Sequence, residues 1–244
     1  MYVPILLVII YSFNESRLNA VWGGFSLAWY RALFRDRAIF TALVNSLVLA
    51  VVSSFSAAVI GTLGAVGLNL KTGTGRIGRV MEYLAILPIM TPEIILGMVL
   101  LVFFSLIGLP LGMFTLILAH TSFCIPYVYL LVKARLSGLD RSYIEAARTL
   151  GAGTWRAFVD ILLPLLMPAI LSGMLLSFAM SFDDVIISIF VTGPQTNTLP
   201  IRIFTQMRTG VTPMTNALCT IIFTMTVLLC ILSAAVSRIK IPKS

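Results

Sequence analysis

The chain has 244 residues, of which 59% are hydrophobic and 11% are charged, and its formal net charge is +8 at pH 7. A soluble globular domain carries about 25% charged residues, and a disordered chain has low hydrophobicity. The composition therefore excludes both classes and predicts an integral membrane protein. The basic residues lie in gaps between apolar runs rather than clustered on one face, so their charge does not indicate binding to nucleic acid.

Uncharged stretches of the sequence predict about six membrane-spanning helices, since each crossing needs roughly 20 apolar residues. A Gly- and Pro-containing segment at 108–112 separates the third helix from the fourth. The first apolar run is too short for a crossing, and we expect its helix to be completed upstream or to enter only the interface. The predicted spans are 2–13 (incomplete), 41–68, 80–107, 114–132, 165–191 and 214–237.

Lys and Arg are distributed unequally between the two sides of these spans. The loops at 71–79 and 133–160 and the C-terminal tail hold 11 of them, and the alternate loops hold 6. Cytoplasmic loops carry an excess of basic residues, so the pattern predicts a cell-membrane protein with both termini in the cytoplasm. The arginine-containing outer loop at 14–37 is the exception. Its Trp29 and Tyr30 fit either an anchor at the membrane interface or a substrate contact.

The cytoplasmic loop at 137–164 has the pattern of a helix–turn–helix. Ser142 and Glu145 fit a capping box at a helix start, and Gly151 fits a helix stop. A second short helix is expected to follow and to be ended or kinked by Pro164. The loop is too apolar to face only water, so it predicts a docking surface for a soluble partner.

The same loop resembles the EAA motif of ABC-importer permeases. The residues that match the motif are Glu145, Ala146, Ala147, Gly151, Ile161, Leu163 and Pro164. Other short segments resemble spermidine/putrescine permeases of the PotC type, namely SFN at 12–14, WY at 29–30, PE at 92–93, SFC at 122–124, SFDD at 181–184 and FVTGP at 190–194. The chain is thus similar to MetI-like ABC importer permeases over nearly its whole length.

This resemblance implies an all-α integral membrane protein with the MetI-like transmembrane fold and a cytoplasmic EAA coupling loop. It implies polyamine import by alternating access, with ATP hydrolysis by a separate subunit, so the chain itself would not be an enzyme. The implied partners in the bilayer are a homologous second permease, two ATPase subunits and an extracytoplasmic polyamine-binding protein. Glu145 would be the coupling residue, and Gly151 would form the turn.

The sequence lacks a nucleotide-binding signature of its own. It contains no Gly-x-x-x-x-Gly-Lys-Ser/Thr loop. The glycines of 73–78 spell G-x-G-x-x-G, but they follow a membrane helix rather than a strand, so we interpret them as a turn. The three cysteines lie inside apolar runs. We therefore expect no cofactor and no metal ion.

Three acidic residues fall inside the predicted spans, where a charge costs at least ~2.5 kcal/mol and marks a functional candidate. Counted along the helices, Glu93 lies about 20 Å and Asp183 about 22 Å into the bilayer, and Asp184 lies about 100° around the helix from Asp183. Pro88 and Pro92 are expected to disrupt the helix just before Glu93, as happens where a helix lines a cavity. The carboxylates fit a weak site for the ammonium groups of a polyamine. Hydrogen bonds or cation–π contacts could be added by Ser181, Trp29 and Tyr127. Alternatively, the acids pair with cations of the sister subunit or accept hydrogen bonds during gating.

Other interpretations of the intramembrane polar residues remain open. The acids alone also fit an ion-coupled secondary transporter, which would have no ATPase partner. Within ABC importers, another small solute is the alternative to a polyamine. An intramembrane aspartyl protease is disfavoured because adjacent aspartates on one helix cannot face each other. For His120, a hydrogen bond to a neighbouring helix is favoured over a proton relay.

Overall fold

The computed structural model describes residues 3–16, 21–70, 75–140, 142, 143, 149, 151–210 and 212–238. Its helices are α1 Val3–Tyr11, α2 Ala28–Arg35, α3 Arg37–Leu70, α4 Arg76–Met90, α5 Glu93–Leu106, α6 Met113–Ser137, α7 Thr154–Asp183, α8 Ile186–Val191, α9 Leu199–Thr209 and α10 Pro213–Arg238. Within these ranges the one β-type pairing is an isolated bridge between Asn14 and Phe25. The prediction of an all-α chain is confirmed.

Three of the described helices, α3, α6 and α7, are long and apolar enough to cross a membrane, and the bent pair α4–α5 makes a fourth if it counts as one span. Helix α1 has 9 residues, fewer than the roughly 20 that a crossing needs. Helix α10 has 26 residues. The several apolar helices are those of a multi-pass membrane protein, whereas the count of six spans stays a prediction.

The chain forms two compact units, one of residues 1–42 and 202–244 and one of residues 43–201. In the first unit α10 packs against α1 and α2. Asp36 begins α3 there, because its Oδ1 accepts the Ala38 N–H at 2.8 Å in the manner of a helix cap. Its Oδ2 pairs with Arg202 at 3.2 Å. The Asp36 side chain thus caps α3 and also forms an ion pair with Arg202, which is distant in sequence.

The loop between α1 and α2 is organised by the buried residue Asn14. The side-chain oxygen of Asn14 accepts the Gly23 N–H at 2.8 Å, and its backbone carbonyl accepts the indole N–H of Trp29 at 2.8 Å. The hydroxyls of Ser12 and Tyr30 lie 2.7 Å apart. The segments 12–14 and 29–30, which resemble the permease family, therefore form one hydrogen-bonded structure.

Helix α6 is the central helix of the second unit, and small residues let its neighbours approach closely. A Cβ on Gly173 of α7 would lie 2.9 Å from the Cα of Val128, and a Cβ on Gly61 of α3 would lie 3.0 Å from the Cβ of Val128. Close backbone approach at small residues is the usual way in which membrane helices pack. The two glycines therefore allow α3 and α7 to contact α6 at the same level.

Helices α4 and α5 meet at a bend of 112°. Pro92 has no N–H to continue the helix, and Thr91 before it is extended, with φ −89° and ψ 130°. The sequence predicted a single helix over 80–107 that is disrupted just before Glu93. The disruption is present as the bend between the two helices, so the depth counted for Glu93 along one continuous helix does not apply, and the span itself stays a prediction.

A second break separates α7 from α8 at Asp184, which is extended with φ −68° and ψ 130°. The Asp184 carboxylate accepts the N–H groups of Ile187 at 3.2 Å and Ser188 at 2.9 Å, so it caps the first turn of α8. The sequence predicted one span over 165–191, which stays a prediction, but the structure divides it into two helices. The 100° angle between Asp183 and Asp184 does not apply, because Asp184 lies outside the helix.

Helix α7 runs through Pro164 without ending. It begins with one α-helical turn at Thr154–Arg156 and continues as a π-helix over Ala157–Leu162. A proline in a helix cannot donate to the carbonyl four residues earlier and clashes with it. The wider π-helical turn contains that residue, Asp160, and accommodates the proline. The expectation that Pro164 ends or kinks the helix is thus corrected to a local change of helix type.

Candidate functional site

The predicted coupling loop is partly covered by the structure. Its Glu145, Ala146 and Ala147 lie outside the described residues, whereas Gly151, Ile161, Leu163 and Pro164 are described. Gly151 has a φ of +82°, and a Cβ there would meet no described atom within 4 Å. Since the space is open, it is the left-handed backbone that requires glycine. The turn predicted at Gly151 is present.

Asp140 forms a hydrogen bond with the predicted helix cap, Ser142, in the segment before this turn. The Asp140 carboxylate accepts the Ser142 N–H at 2.9 Å, and Ser142 itself is helical. This hydrogen bond holds the pKa of the Asp140 carboxyl below its ordinary value, because it stabilises the charged form. The capping box predicted for Ser142 involves Glu145, which lies outside the described residues, so it stays a prediction.

Aromatic side chains are exposed on both sides of the Gly151 turn. Trp155 is 71% exposed and Tyr143 is 52% exposed. The Trp155 ring contacts the half-buried Phe158, with ring centroids 5.6 Å apart. Exposed aromatic surface beside a turn is typical of a docking surface.

The residues predicted to line a substrate path differ in exposure. Trp29 lies in the first unit, and the others lie in the second. Asp183 is exposed at the end of α7, and Glu93 is half-buried at the start of α5, within electrostatic range of the half-buried Tyr127. The remaining two, Ser181 and Asp184, are buried.

The two helix breaks lie at the same end of the packed pair α5–α8. Gly97 of α5 faces Phe190 of α8, and Gly193, just after α8, faces Leu111, just after α5. The two helices therefore run side by side in the same direction. The bend before α5 and the break before α8 consequently share one end, which brings Glu93 to the same end as the two aspartates.

His120 lies fully buried on α6 and joins hydroxyl groups of the surrounding helices. Its Nδ1 lies 2.8 Å from Ser181 Oγ, and its Nε2 lies 3.0 Å from Ser188 Oγ. Ser181 Oγ lies 3.0 Å from Ser53 Oγ of α3, and the Ser188 hydroxyl donates to Asp184 Oδ2 at 2.9 Å. The predicted hydrogen bonding of His120 to neighbouring helices is confirmed.

Ser53 and Ser188 belong to this cluster, although neither was predicted from the sequence. Serine recurs throughout the apolar runs, and spacing alone does not tell which serines face a common partner. The buried histidine was the available signal, because both of its ring nitrogens need partners. Among the described residues, no group of three or more His, Cys, Asp or Glu side chains is placed to hold a metal ion.

Residues 72–242 match the model of a family described as "Binding-protein-dependent transport system inner membrane component". The match covers well over half of the chain. The chain belongs to this permease family. Its apolar helices are therefore those of a multi-pass inner-membrane component, as the composition predicted.

Curated relatives extend this similarity over nearly the whole chain. PotC, a spermidine/putrescine transport system permease of Haemophilus influenzae, is 38% identical over 98% of this chain and 92% of its own length. PotC of Escherichia coli K12 is 39% identical over 98% of this chain and 90% of its own length. The putrescine permease PotI of Escherichia coli K12 is 43% identical over 91% of this chain and 81% of its own length.

Solved structures show the same permease fold at low sequence identity. A chain of a bacterial ABC transporter that imports the acidic polysaccharide alginate aligns with a TM-score of 0.72 at 16% identity, covering 98% of this chain and 91% of that one. A chain of the inward-facing methionine transporter MetNI aligns with a TM-score of 0.66 at 20% identity, covering 84% of this chain and 97% of that one. The prediction of a MetI-like importer fold is confirmed.

Proposed function

We propose that this chain is the permease subunit of an ATP-driven ABC importer for the polyamines spermidine and putrescine. The observation that carries the proposal is the similarity to PotC and PotI, at 38% to 43% identity over 91% to 98% of this chain. The chain forms part of the translocation path, and ATP is hydrolysed by separate subunits. The specificity for a polyamine is shared with the binding protein that delivers it.

The proposed assembly contains this chain, a homologous second permease, two ATPase subunits and an extracytoplasmic polyamine-binding protein. The loop around Gly151 docks on an ATPase subunit, and Glu145 with the rest of the EAA motif transmits its movement. The positive φ of Gly151 and the exposed ring of Trp155 support this role, because they combine a defined turn with apolar surface. The basic-residue distribution supports a cytoplasmic position for this loop and for the C-terminus.

The proposed substrate path uses acidic groups at the shared end of α5 and α8. Polyamine ammonium groups are strongly hydrated, so their passage needs carboxylates that compensate for lost water. Glu93 and Asp183 are accessible there, whereas Asp184 is buried and engaged by Ile187 and Ser188. Glu93 and Asp183 are therefore the acids that contact the substrate, and Ser181 acts through the buried cluster.

Neutralising the accessible acids should impair transport without preventing assembly. We expect Glu93→Gln and Asp183→Asn each to lower polyamine uptake about tenfold, because a lost charge-assisted contact is worth roughly 1.5 kcal/mol. Uptake of labelled putrescine by cells is the measurement, with the amount of purified complex as the check on assembly. Glu15→Gln makes the same change at an exposed acid outside the path and should leave uptake normal. Normal uptake by both path variants would contradict the assignment.

Another small solute is the second candidate substrate, because the same fold occurs in transporters whose descriptions name alginate and methionine. The acidic character of the path disfavours anionic solutes. The test is competition in a strain that lacks polyamine uptake and carries this chain with its partner subunits. Unlabelled spermidine should inhibit uptake of labelled putrescine, whereas methionine and sulfate should not. Inhibition by another solute without inhibition by polyamines would overturn the proposed substrate.

A further inference from the structure

The buried cluster around His120 is a continuous chain of five contacts. It begins at the Leu49 carbonyl, which lies 2.5 Å from Ser53 Oγ, and it continues from Ser53 to Ser181 at 3.0 Å. Ser181 lies 2.8 Å from His120 Nδ1, and His120 Nε2 lies 3.0 Å from Ser188 Oγ. It ends at Asp184, whose Oδ2 lies 2.9 Å from Ser188 Oγ. Every link has the heavy-atom separation of a hydrogen bond.

The hydrogens available to these five contacts can be counted. A carbonyl and an ionised carboxylate bring none, each of the three serines brings one, and a neutral imidazole brings one. Four hydrogens would then serve five contacts, and one contact would place two lone pairs against each other at 3.0 Å or less. One additional proton satisfies all five.

The surroundings of Asp184 decide where this proton resides. The carboxylate already accepts the N–H groups of Ile187 and Ser188 in addition to the Ser188 hydroxyl. Several donors to a carboxylate stabilise its charged form. We infer that His120 is an imidazolium that donates from both ring nitrogens, and that it forms a net-neutral buried pair with the Asp184 carboxylate.

Burial disfavours an isolated imidazolium, and the contact with Asp184 is what offsets that cost. His120 Nε2 lies 3.4 Å from Asp184 Oδ2, and both side chains are at most 4% exposed. An isolated buried carboxylate is costly, and a cation in contact offsets that cost. Among the described residues, Asp184 is the formally charged group that contacts His120. Cys124 is another buried titratable group on α6, and its thiol contacts the Ser177 carbonyl.

A protonated His120 gives the cluster a role distinct from substrate attraction. The additional proton on His120 completes the hydrogen bonds that hold α3, α6, α7 and α8 together at the break between α7 and α8. Each of these helices contributes at least one group to the series of contacts. The proton also cancels the charge of Asp184. Asp184 therefore acts as a positioning residue, and the net negative charge at this end of the helices comes from Asp183 and Glu93.

The protonation state of His120 can be measured directly, because it is the single histidine of the sequence. The full chain, labelled with ¹⁵N-histidine and purified through a tag without histidine, is placed in lipid nanodiscs at pH 7. We expect both ring nitrogens to resonate in the range of protonated imidazole nitrogens. An unprotonated ring nitrogen in the wild-type spectrum would overturn the inference.

Variants of the adjacent aspartates make the test specific. In Asp184→Asn the amide supplies a hydrogen to Ser188 and removes the charge, so His120 should become neutral and show one unprotonated nitrogen. In Asp183→Asn, which makes the same change at the exposed neighbour, the imidazolium signal should persist. Retention of the imidazolium in Asp184→Asn, or its loss in Asp183→Asn, would overturn the inference. If Asp184→Asn does not fold, the wild-type spectrum decides alone.

Discussion

Gly193→Ala should destabilise the chain more than any other single methyl addition at a described glycine. A Cβ at Gly193 would overlap the backbone carbonyl oxygen of Leu111 and would lie 3.0 Å from its carbonyl carbon and 3.1 Å from the Cα of Gly112. All three neighbours are backbone atoms, so no side-chain rotation relieves the overlap. The turn after α8 must therefore move away from the turn before α6.

The same turn is tied to α6 by hydrogen bonds that this movement would break. The Thr115 hydroxyl donates to the Val191 carbonyl at 2.9 Å and accepts the Gly112 N–H at 2.8 Å. Overpacking of this kind costs up to about 3 kcal/mol. A loss of about 1 kcal/mol of stability lowers the midpoint temperature of thermal unfolding by about 2–4 °C for a chain of this size. We therefore expect Gly193→Ala to unfold in detergent about 10 °C below wild type.

Gly67→Ala is the matched control for this prediction. It adds the same methyl group inside α3, where no described atom lies within 4 Å of the added Cβ. Alanine is the better helix former, so the midpoint should stay unchanged or rise slightly. Equal midpoints for Gly193→Ala and wild type would show that the close approach to Leu111 does not constrain the fold.

Gly151→Val should reduce transport severely while leaving the assembled complex intact. The residue has a φ of +82°, which a β-branched side chain tolerates poorly, at a cost of about 1–2 kcal/mol. That cost lowers the population of the native turn roughly 5- to 30-fold. If the turn positions the EAA loop on the ATPase, uptake and substrate-stimulated ATP hydrolysis should both fall about tenfold.

Gly153→Val separates this backbone effect from the bulk of the side chain. Gly153 is also exposed with no described atom within 4 Å of an added Cβ, but its φ of −66° is ordinary. We expect nearly normal uptake from this variant. Gly151→Asn should retain more uptake than Gly151→Val, because asparagine enters the left-handed region more readily. Equal uptake by Gly151→Val and Gly153→Val would refute the importance of the turn.

The long helices were predictable from the sequence because their signal is local. Uncharged runs predicted α3 to within four residues at each end and the start of α6 to within one residue, and Gly151 predicted the turn. The breaks were harder to predict. Pro92 indicated a disruption but not a bend of 112°, which depends on how α5 packs against α8. The break at Asp184 has no proline, and its cause is a side chain that caps the next helix.

The cluster around His120 could not be predicted from spacing, because its members come from four separate helices. Ser53, His120, Ser181 and Ser188 meet only when α3, α7 and α8 surround α6. The same is true of Gly193, whose sequence neighbours give no sign of the approach of Leu111. The sequence thus indicated which polar residues are costly to place in a membrane. The packing of the helices determined which of those residues form hydrogen bonds with one another.

The central claim is that this chain imports polyamines with energy from ATP, and transport by the purified complex tests it most directly. The chain is reconstituted in proteoliposomes with its sister permease, ATPase subunits and binding protein, and entry of labelled spermidine and putrescine is followed. The account predicts entry that requires both the binding protein and ATP on the ATPase side, and that is insensitive to dissipation of ion gradients. Entry driven by an ion gradient without ATP, or ATP hydrolysis that polyamine-loaded binding protein does not stimulate, would contradict it.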